Sequence, residues 1–456
     1  MRLPPEHSIS DLVIELIGAA CVPLDTGHCS GTLEQAEAIL AAHPEIASHD
    51  IFTAAIVGDD VAVRRFLSLD SKSATAKGGP RGWDPLTYLC FSRYLRLDSN
   101  RSQGFVNAAR ALLEAGASAN SGFMEKAHQP HPEWESVLYG AAGVAHHAEL
   151  TRLLLERGAD PNDGEVAYHT PETDENAALK VLVGSGKLTA DTLATLLLRK
   201  ADWHDYEGIK YLLEHGADPN RMMHWGYTAL HQALRRDNHL RIIELMLHHA
   251  ADPNLKSKKD GRSAISIAAR RGRGDALSVF ARRKPPLQLE GVEKLIGACA
   301  QNDLKNIQAF CQREASLVNE LVKEGRTLLA EFAGNGNTEG VRHLLNLGVE
   351  VAATYSEGDG YFGIARNSTA LHVAAWRANH KTVKLLIERG APVDALDGNG
   401  RTALALAVRA CVDSHWMHRR SSESVEALLR AGASIRGVDF PSGYGAVDEL
   451  LRAQQK

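Results

Sequence analysis

Cysteine is scarce and scattered in this 456-residue chain, which has six cysteines and no pair with the C-x-x-C spacing. A disulfide framework or a zinc ribbon needs closely spaced cysteines, so we expect neither in this protein. Scattered cysteines are typical of proteins from a reducing compartment. We therefore expect a cytoplasmic protein.

The sequence also lacks the short motifs of common catalytic sites. It contains no phosphate-binding loop of the G-x-x-x-x-G-K-[ST] form and no G-x-S-x-G nucleophile elbow. Almost every stretch of the chain fits a repeat, so little sequence remains for a separate catalytic domain. We expect no enzymatic activity, no cofactor and no small-molecule substrate.

Long apolar runs are missing as well. A transmembrane helix needs about 20 consecutive apolar residues. The run Leu12–Val22 is too short and is interrupted by Glu15, although Arg2 before it gives a faint likeness to a lipoprotein leader. We interpret this run as the first helix of a repeat and expect no membrane association.

Excess charge of one sign is also absent, because the net charge is only −5. A nucleic-acid-binding protein is usually strongly basic over the whole domain, so nucleic acid is not the expected partner. The low aromatic content of 6% leaves the core to small and aliphatic side chains. Such side chains suit closely stacked helix pairs.

One group of residues has the types that bind zinc, namely Cys411, His415 and His418. If the segment were helical, the spacings i, i+4 and i+7 would place all three on one face. The segment lies in an insertion, however, and no fourth ligand is evident. The sequence leaves open whether these residues bind a metal.

What the chain does contain is a repeated unit, seen most clearly in Ser368–Gly400. Leu371 and Ala374 fall on one face of a first helix, and Val383 and Leu386 lie on the apolar side of a second. Each helix is too short to be stable alone in water, so each must pack on neighbours. The remaining residues form an extended finger that ends in a turn.

The start of this unit carries a motif. Thr369 precedes the first helix, and its hydroxyl is expected to cap the helix and to bond the imidazole of His372. The stretch T-A-L-H-V-A resembles the T-P-L-H-x-A signature of the 33-residue ankyrin repeat, with Ala370 in place of the proline. The resemblance implies an all-α fold of helix-turn-helix repeats with hairpin fingers, stacked into a curved solenoid that binds other proteins.

Landmarks at the end of the second helix recur along the chain. They are Gly116, Gly158, Gly216, Ala250, Gly348, Gly390 and Gly432. Their spacing predicts a single continuous array of about twelve units over residues 1–456. It comprises an N-terminal capping repeat (10–48), repeats (49–442) and a C-terminal capping helix (443–456).

Two details of the array are less regular. The ninth and tenth units are predicted at Glu290–Gly325 and Arg326–Asn367. The pair Pro285-Pro286, in the junction 284–288, cannot extend a hydrogen-bonded ladder. The sequence leaves open whether this junction is a hinge.

Arginines recur at equivalent positions of three successive first helices, which by resemblance line the concave face. These are Arg199, Arg235, Arg236, Arg270 and Arg271. The segment Lys256–Lys284 has ten basic and two acidic residues, a net charge of +8. Because arginine pairs with carboxylates through two parallel hydrogen bonds, we predict a protein partner with an acidic segment. The alternative is a nucleic acid or another polyanion in the same basic groove, which steep salt dependence would reveal.

Other large side chains are predicted to contact the partner beside these arginines. They are Trp203, Trp225, Tyr361, Phe362, Trp376 and Arg377. Tyr361 and Phe362 belong to a long inserted finger, Thr354–Asn367, where we expect exposed aromatic rings. Together these features predict a non-enzymatic protein–protein interaction scaffold that binds through its concave face and fingers.

Overall fold

The computed structural model describes residues 8–24, 27–126, 132–283 and 287–454. Helices of all types account for 58% of the described residues, and the strands there are few and short, so the predicted all-α class is confirmed. No helix within these ranges is both long enough and apolar enough to cross a membrane. Residues 284–286 lie outside the described ranges, and so does the proposed hinge at Pro285-Pro286.

The chain divides into two compact units, Met1–Ala233 and Leu234–Lys456. These are the first and the second unit. The prediction of one continuous array over the whole chain stays a prediction.

The first unit contains thirteen α-helices in its described residues and begins a fourteenth. They are α1 Ile9–Ala20, α2 Glu34–Ala42, α3 Ile51–Val57, α4 Asp60–Leu69, α5 Pro85–Cys90, α6 Arg93–Leu97, α7 Ser102–Glu114, α8 Val137–Tyr139, α9 Ala148–Glu156, α10 Gly164–His169, α11 Ala177–Gly184, α12 Ala190–Asp202, α13 Tyr206–Glu214 and α14 Ala229–Arg235. A π-helical turn, Gly140–Val144, follows α8. The antiparallel strands β1 Gly122–Glu125 and β2 Glu133–Ser136 form the finger between α7 and α8.

The second unit continues the pattern of paired helices. Its helices are α15 Leu240–His248, α16 Ala264–Arg270, α17 Gly274–Arg282, α18 Val292–Ala300, α19 Leu304–Arg313, α20 Ala315–Gly334, α21 Thr338–Asn346, α22 Ala370–Trp376, α23 His380–Glu388, α24 Ala403–Ala410, α25 Glu423–Arg430 and α26 Gly445–Gln454. The strands β3 Thr354–Tyr355 and β4 Ser368–Thr369 pair in an antiparallel manner. Helix α26 lies within residues 443–456, where the sequence predicts a capping helix, and its capping role stays a prediction.

Local hydrogen bonds set the start of the repeat helices, as the motif of α22 shows. The Thr369 hydroxyl lies 2.8 Å from Nδ1 of His372, and the Thr369 amide donates to the same nitrogen over 3.1 Å. Nε2 of His372 lies 2.9 Å from the Ala395 carbonyl oxygen and 3.1 Å from that of Arg401. The histidine therefore ties the helix start to its own finger, and its predicted structural role is confirmed.

Packing within the second unit joins successive first helices, because α16, α18, α20, α22 and α24 contact one another in turn. Leu371 and Ala374 of α22 are fully buried between their neighbours. Small residues such as Ala374 allow the helices to approach closely, while the leucines supply most of the apolar area. No single pair could bury this surface alone, which is why the units are stable only as a stack.

The predicted boundary between the ninth and tenth units, Gly325, is wrong. Gly325 lies inside the 20-residue helix α20, and a single residue, Glu314, separates this helix from α19. The apolar face of α20 is continuous through Leu317, Leu321 and Leu328, all buried. The ninth unit therefore has no finger, and the chain passes directly into the next first helix.

Candidate functional site

A groove of about 1050 Å³ lies on the first unit and is called the first-unit groove below. Six short segments build it: described residues between α1 and α2, strand β2, the end of α8, helix α10 with its cap, the first half of α12 and the segment before α14. Its described lining residues are Leu24, Gly27, His28, Glu133, Tyr139, Asn162, Asp163, Gly164, Glu165, Ala167, Tyr168, His169, Thr189, Asp191, Thr192, Thr195, Met223, His224 and Trp225. Trp225 is the one residue of this groove that was predicted to contact a partner.

A row of five aromatic rings runs along the groove. Tyr139 lies 5.1 Å from His169, which lies 4.9 Å from Tyr168, as measured between ring centroids. The row continues from Tyr168 to Trp225 over 5.8 Å and from Trp225 to His224 over 3.9 Å. The rings come from three different repeats, so only the stacking of those repeats makes the row continuous.

Carboxylates dominate the charge of the groove. Asp163 caps α10, since its Oδ1 accepts hydrogen bonds from the amides of Glu165 (2.8 Å) and Val166 (3.3 Å). Glu133 on β2 and Asp191 on α12 are exposed at the rim. Among the described lining residues none is lysine or arginine. The groove is therefore acidic, whereas the sequence predicted a basic binding surface.

His169 is held between two carboxylates. Its Nε2 lies 3.1 Å from Glu165, and its Nδ1 lies 3.1 Å from Glu172. Burial alone lowers the pKa of an imidazole, but the two hydrogen-bonded carboxylates outweigh it and raise the pKa of His169 to about 9. His169 is thus an imidazolium at neutral pH and partly neutralises its two neighbours.

A further carboxylate lies on the finger itself, on the buried face of strand β2. Glu135 stands opposite Phe123 in the β1–β2 register, on the face that packs against the helices. Its side chain has 0% exposure, and neither carboxylate oxygen has a hydrogen-bond partner within the described part of the chain. Burial raises the pKa of Glu135 to about 8, and the groove residue Glu165 adds to this effect.

Arg199 and Trp203 lie at the C-terminal end of α12, beyond the residues of this helix that line the groove, and their environments differ. The guanidinium of Arg199 stacks 3.8 Å from the centroid of Tyr168, donates to Glu172 over 2.6 Å and pairs with Asp202. Arg199 is therefore already bound by its own chain. Trp203 is 45% exposed and does not belong to the described lining of the groove.

The second unit brings several predicted arginines together around one buried carboxylate, Asp237. Arg271 donates to both Asp237 oxygens over 2.7 Å, and Arg377 donates to the same carboxylate over 2.7 Å. Arg271 also lies 2.9 Å from Glu331. Burial alone would raise the pKa of Asp237, but the charges of Arg271 and Arg377 hold it well below its usual range. We call these four residues the Asp237 cluster.

The predicted partner contacts include an arginine row, defined as Arg199, Arg235, Arg236, Arg270, Arg271 and Arg377. The expectation that this row faces solvent is wrong for Arg271 and Arg377, because both are buried in the Asp237 cluster. Arg270 is mostly buried and pairs with Glu293 and Glu324. The carboxylates opposite these arginines thus belong to the chain itself. One of these carboxylates, Glu331, has a visible signal in the sequence, because it lies among the apolar residues of α20.

The inserted finger folds back onto the second unit. Phe362 is only 7% exposed and packs with Ala378 and Trp416, while Tyr361 is 40% exposed. The indole Nε1 of Trp376 donates to the Phe362 carbonyl oxygen over 2.7 Å. The expectation of exposed rings is therefore wrong for Phe362 and confirmed for Tyr361.

Cation–π contacts join the same finger to the arginine row. Arg377 lies 4.3 Å from the ring centroid of Phe362, and Arg236 lies 3.8 Å from that of Tyr361. Arg235, next to Arg236 in the sequence, is half-buried. The finger consequently covers part of the surface that the arginines were predicted to offer to a partner.

Replacing Phe362 with alanine should release this finger. The loss of a buried ring should lower the free energy of local opening by about 2 kcal/mol, which corresponds to roughly 30-fold faster cleavage. Limited proteolysis of the full chain, followed by mass spectrometry of the cuts within residues 354–367, measures the rate. The exposed neighbour supplies the control, because Tyr361→Ala should change the rate much less. Equal rates for the two variants would contradict the packing described here.

The three zinc-type residues do not share a helical face. Cys411 is the C-cap of α24, and its thiol donates to the carbonyl oxygens of Ala407 (3.3 Å) and Ser421 (3.5 Å). His415 begins a separate 3-10 turn, His415–Arg419. Over the ranges that the structure describes, no group of three or more histidine, cysteine or acidic residues is placed to hold a metal ion.

Comparison with known proteins gives relatives that share repeat segments with this chain. It is 28% identical over 257 residues to Rabankyrin-5 of Mus musculus, an alignment that covers 55% of this chain and 19% of that protein. It is 27% identical over 223 residues to Ankyrin repeat and SOCS box protein 6 of Homo sapiens, covering 44% and 46%. Probable E3 ubiquitin-protein ligase XBOS32 of Oryza sativa subsp. japonica is 32% identical over 119 residues, covering 26% and 21%. The chain thus spans less than half the length of each of these relatives.

The family profile described as Ankyrin repeats (3 copies) matches residues 138–257, 197–285 and 356–439, which together make up just over half of the chain. The matched segments hold the T-x-x-H helix starts and the helix pairs α9 to α17 and α22 to α25. Sequence profile and helical architecture agree, and the chain therefore belongs to the ankyrin repeat family.

Proposed function

We propose that this chain is a non-enzymatic scaffold that binds a partner protein in the first-unit groove. The observation that carries the proposal is the row of five rings in an open groove of about 1050 Å³. Aromatic side chains supply large contact area at low entropic cost and are enriched among the residues that dominate interfaces. Trp225, half-buried within the row, is the proposed central anchor.

The arginine row offers less to a partner. Arg199, Arg270 and Arg271 already have carboxylate partners in the chain, and the finger covers Arg236 and Arg377. For the same reason we do not propose docking of a nucleic acid or another polyanion. In the basic segment, Arg270, Arg271 and Arg273 pair with carboxylates of the chain, while Lys256, Lys258, Lys259, Arg262, Arg282 and Arg283 are exposed.

Replacing Trp225 with alanine should weaken partner capture by about 30-fold, or about 2 kcal/mol, because truncating a central tryptophan removes an anchor of the interface. The measurement is quantitative mass spectrometry of proteins captured by the immobilised full chain. Trp203→Ala is the matched control, since Trp203 is exposed but lies outside the described groove lining, and it should capture as the unchanged chain does. Capture that survived Trp225→Ala, or that was lost equally in both variants, would contradict the proposal.

We also propose that the protein works in the cytoplasm. All six cysteines are free thiols, including the exposed Cys29. Free cysteines persist in reducing compartments, where disulfides are rare. Cell fractionation that recovered the protein only from an oxidising compartment would contradict this placement.

A further inference from the structure

The chemistry of the first-unit groove narrows the class of partner. Its described lining includes four carboxylate residues, which are Glu133, Asp163, Glu165 and Asp191, and no lysine or arginine. Carboxylates pair with ammonium and guanidinium groups, and the faces of aromatic rings attract the same cations. Both features of the groove thus favour one kind of ligand, a positively charged side chain.

The chain's own Arg199 shows how a guanidinium is bound beside this groove. It stacks on the groove residue Tyr168 with 3.8 Å between guanidinium carbon and ring centroid. Its nitrogens donate to Glu172 over 2.6 Å and to the Tyr168 carbonyl oxygen over 3.1 Å. The groove lining offers the same two kinds of group, ring faces and carboxylates, to a guanidinium of a partner.

An independent observation comes from Glu135 on β2, the strand that also carries the groove residue Glu133. Its side chain is completely buried, and both its oxygens lack hydrogen-bond partners in the part of the chain that the structure describes. The charges of the groove residues Glu165 and Asp163 raise the pKa of Glu135 further, and the charge of His169 lowers it. A buried acceptor without a donor costs free energy, and a cation bound nearby would reduce that cost.

The size of the groove indicates the form of the ligand. The four steps between ring centroids measure 3.9–5.8 Å each, and an extended chain advances about 3.3 Å per residue. The row is therefore no longer than an extended segment of about six residues. A compact small molecule would leave much of a groove of this volume unfilled.

We infer that the first-unit groove binds an extended segment of a partner protein that carries lysine or arginine side chains. Carboxylates at the rim attract the segment, and the ring row receives its cationic and apolar side chains. This inference rests on the proposed function of the groove and adds the chemical class of the partner.

A random library of 12-residue peptides displayed on phage, panned against the full chain, tests the inference. The enriched peptides are expected to contain several lysines or arginines and to bind less tightly as salt increases, because salt screens exposed charges. Their affinity, measured by fluorescence anisotropy on synthetic peptides, should fall at least tenfold in the double variant Glu133→Lys, Asp191→Lys. Both positions are exposed, and the ion pair of Asp191 with Arg221 is a surface pair, so the fold should be retained.

Glu156→Lys is the matched control, because Glu156 is exposed on α9 and lies outside the groove lining. It should leave peptide affinity unchanged.

Neutral or acidic peptides whose binding is lost in Trp225→Ala would overturn the inference while supporting the proposed function. Enriched peptides that are insensitive to every groove variant would overturn both. If panning enriched no peptide, the inference would also fail, whereas protein capture lost in Trp225→Ala would still uphold the proposed function.

Discussion

Replacing Asp237 with asparagine should lower the free energy of unfolding of the second unit by about 3–5 kcal/mol. The carboxylate is 4% exposed and receives Arg271 and Arg377 at 2.7 Å. Asparagine keeps the size of the side chain but removes the counter-charge that Arg271 and Arg377 share, and it leaves Arg271 with the Glu331 carboxylate. Removing one partner of a buried ion pair is costly because the remaining charge cannot regain its hydration.

Urea denaturation of the full chain, followed by circular dichroism, measures this loss as a transition at a lower urea concentration. Asp413→Asn is the control, because Asp413 also pairs with an arginine, Arg409, but is 78% exposed. Its transition should stay close to that of the unchanged chain, since surface ion pairs contribute little. Transitions of the two variants that coincide would contradict the assignment of Asp237 as the centre of a buried cluster.

The Asp237 cluster also predicts the behaviour of the protein in acid. The pKa of Asp237 is lower in the folded chain than in the unfolded chain. The unfolded state therefore binds the proton more readily, and the stabilisation present above about pH 4 is lost as the pH falls further. Asp237→Asn should remove this part of the acid sensitivity.

Replacing Glu135 with glutamine should stabilise the first unit at alkaline pH by about 2–4 kcal/mol. Burial raises the pKa of Glu135 from 4.5 to about 8, and Glu165, Asp163 and Glu125 add to this effect while His169 opposes it. Between these two pH values the carboxyl ionises readily only in the unfolded chain. The penalty from Glu135 therefore grows as the pH rises from about 4.5 to about 8, and it remains at higher pH.

Thermal unfolding at pH 5 and at pH 8.5 measures this effect. The difference between Glu135→Gln and the unchanged chain should be small at pH 5 and large at pH 8.5. Glu133→Gln is the control, because Glu133 lies two residues away on the same strand but is exposed. A Glu135→Gln variant with the same stability difference at both pH values would contradict the burial of an unpaired carboxyl.

The repeat architecture could be predicted from the sequence because its signals are local. Thr369 and His372 are three residues apart, and their capping contacts depend only on that spacing. The C-terminal helix predicted within residues 443–456 is present as Gly445–Gln454. The boundary at Gly325 was wrong because it was placed by the regular spacing of the repeats, whereas the buried leucines continue on both sides of this glycine within one helix.

The sites could be predicted much less well, since their residues are distant in the sequence. Arg377 and Asp237 are separated by 140 positions, so no local pattern announces their ion pair. The net charge of the segment Lys256–Lys284 made its arginines look exposed, because the carboxylates that pair with Arg270 and Arg271 lie outside this segment. Likewise, Tyr139, Tyr168 and Trp225 look unrelated in the sequence and form a row only when the repeats stack.

Amide hydrogen exchange of the full chain, with and without the tightest peptide from the panning, tests the central claim most directly. That claim is that the partner segment occupies the first-unit groove. Binding should slow exchange in Gly164–His169 and in the segment from Met223 to Trp225, where backbone and ring row line the groove. Slowed exchange confined to residues 354–377 of the second unit, with the groove segments unchanged, would contradict it.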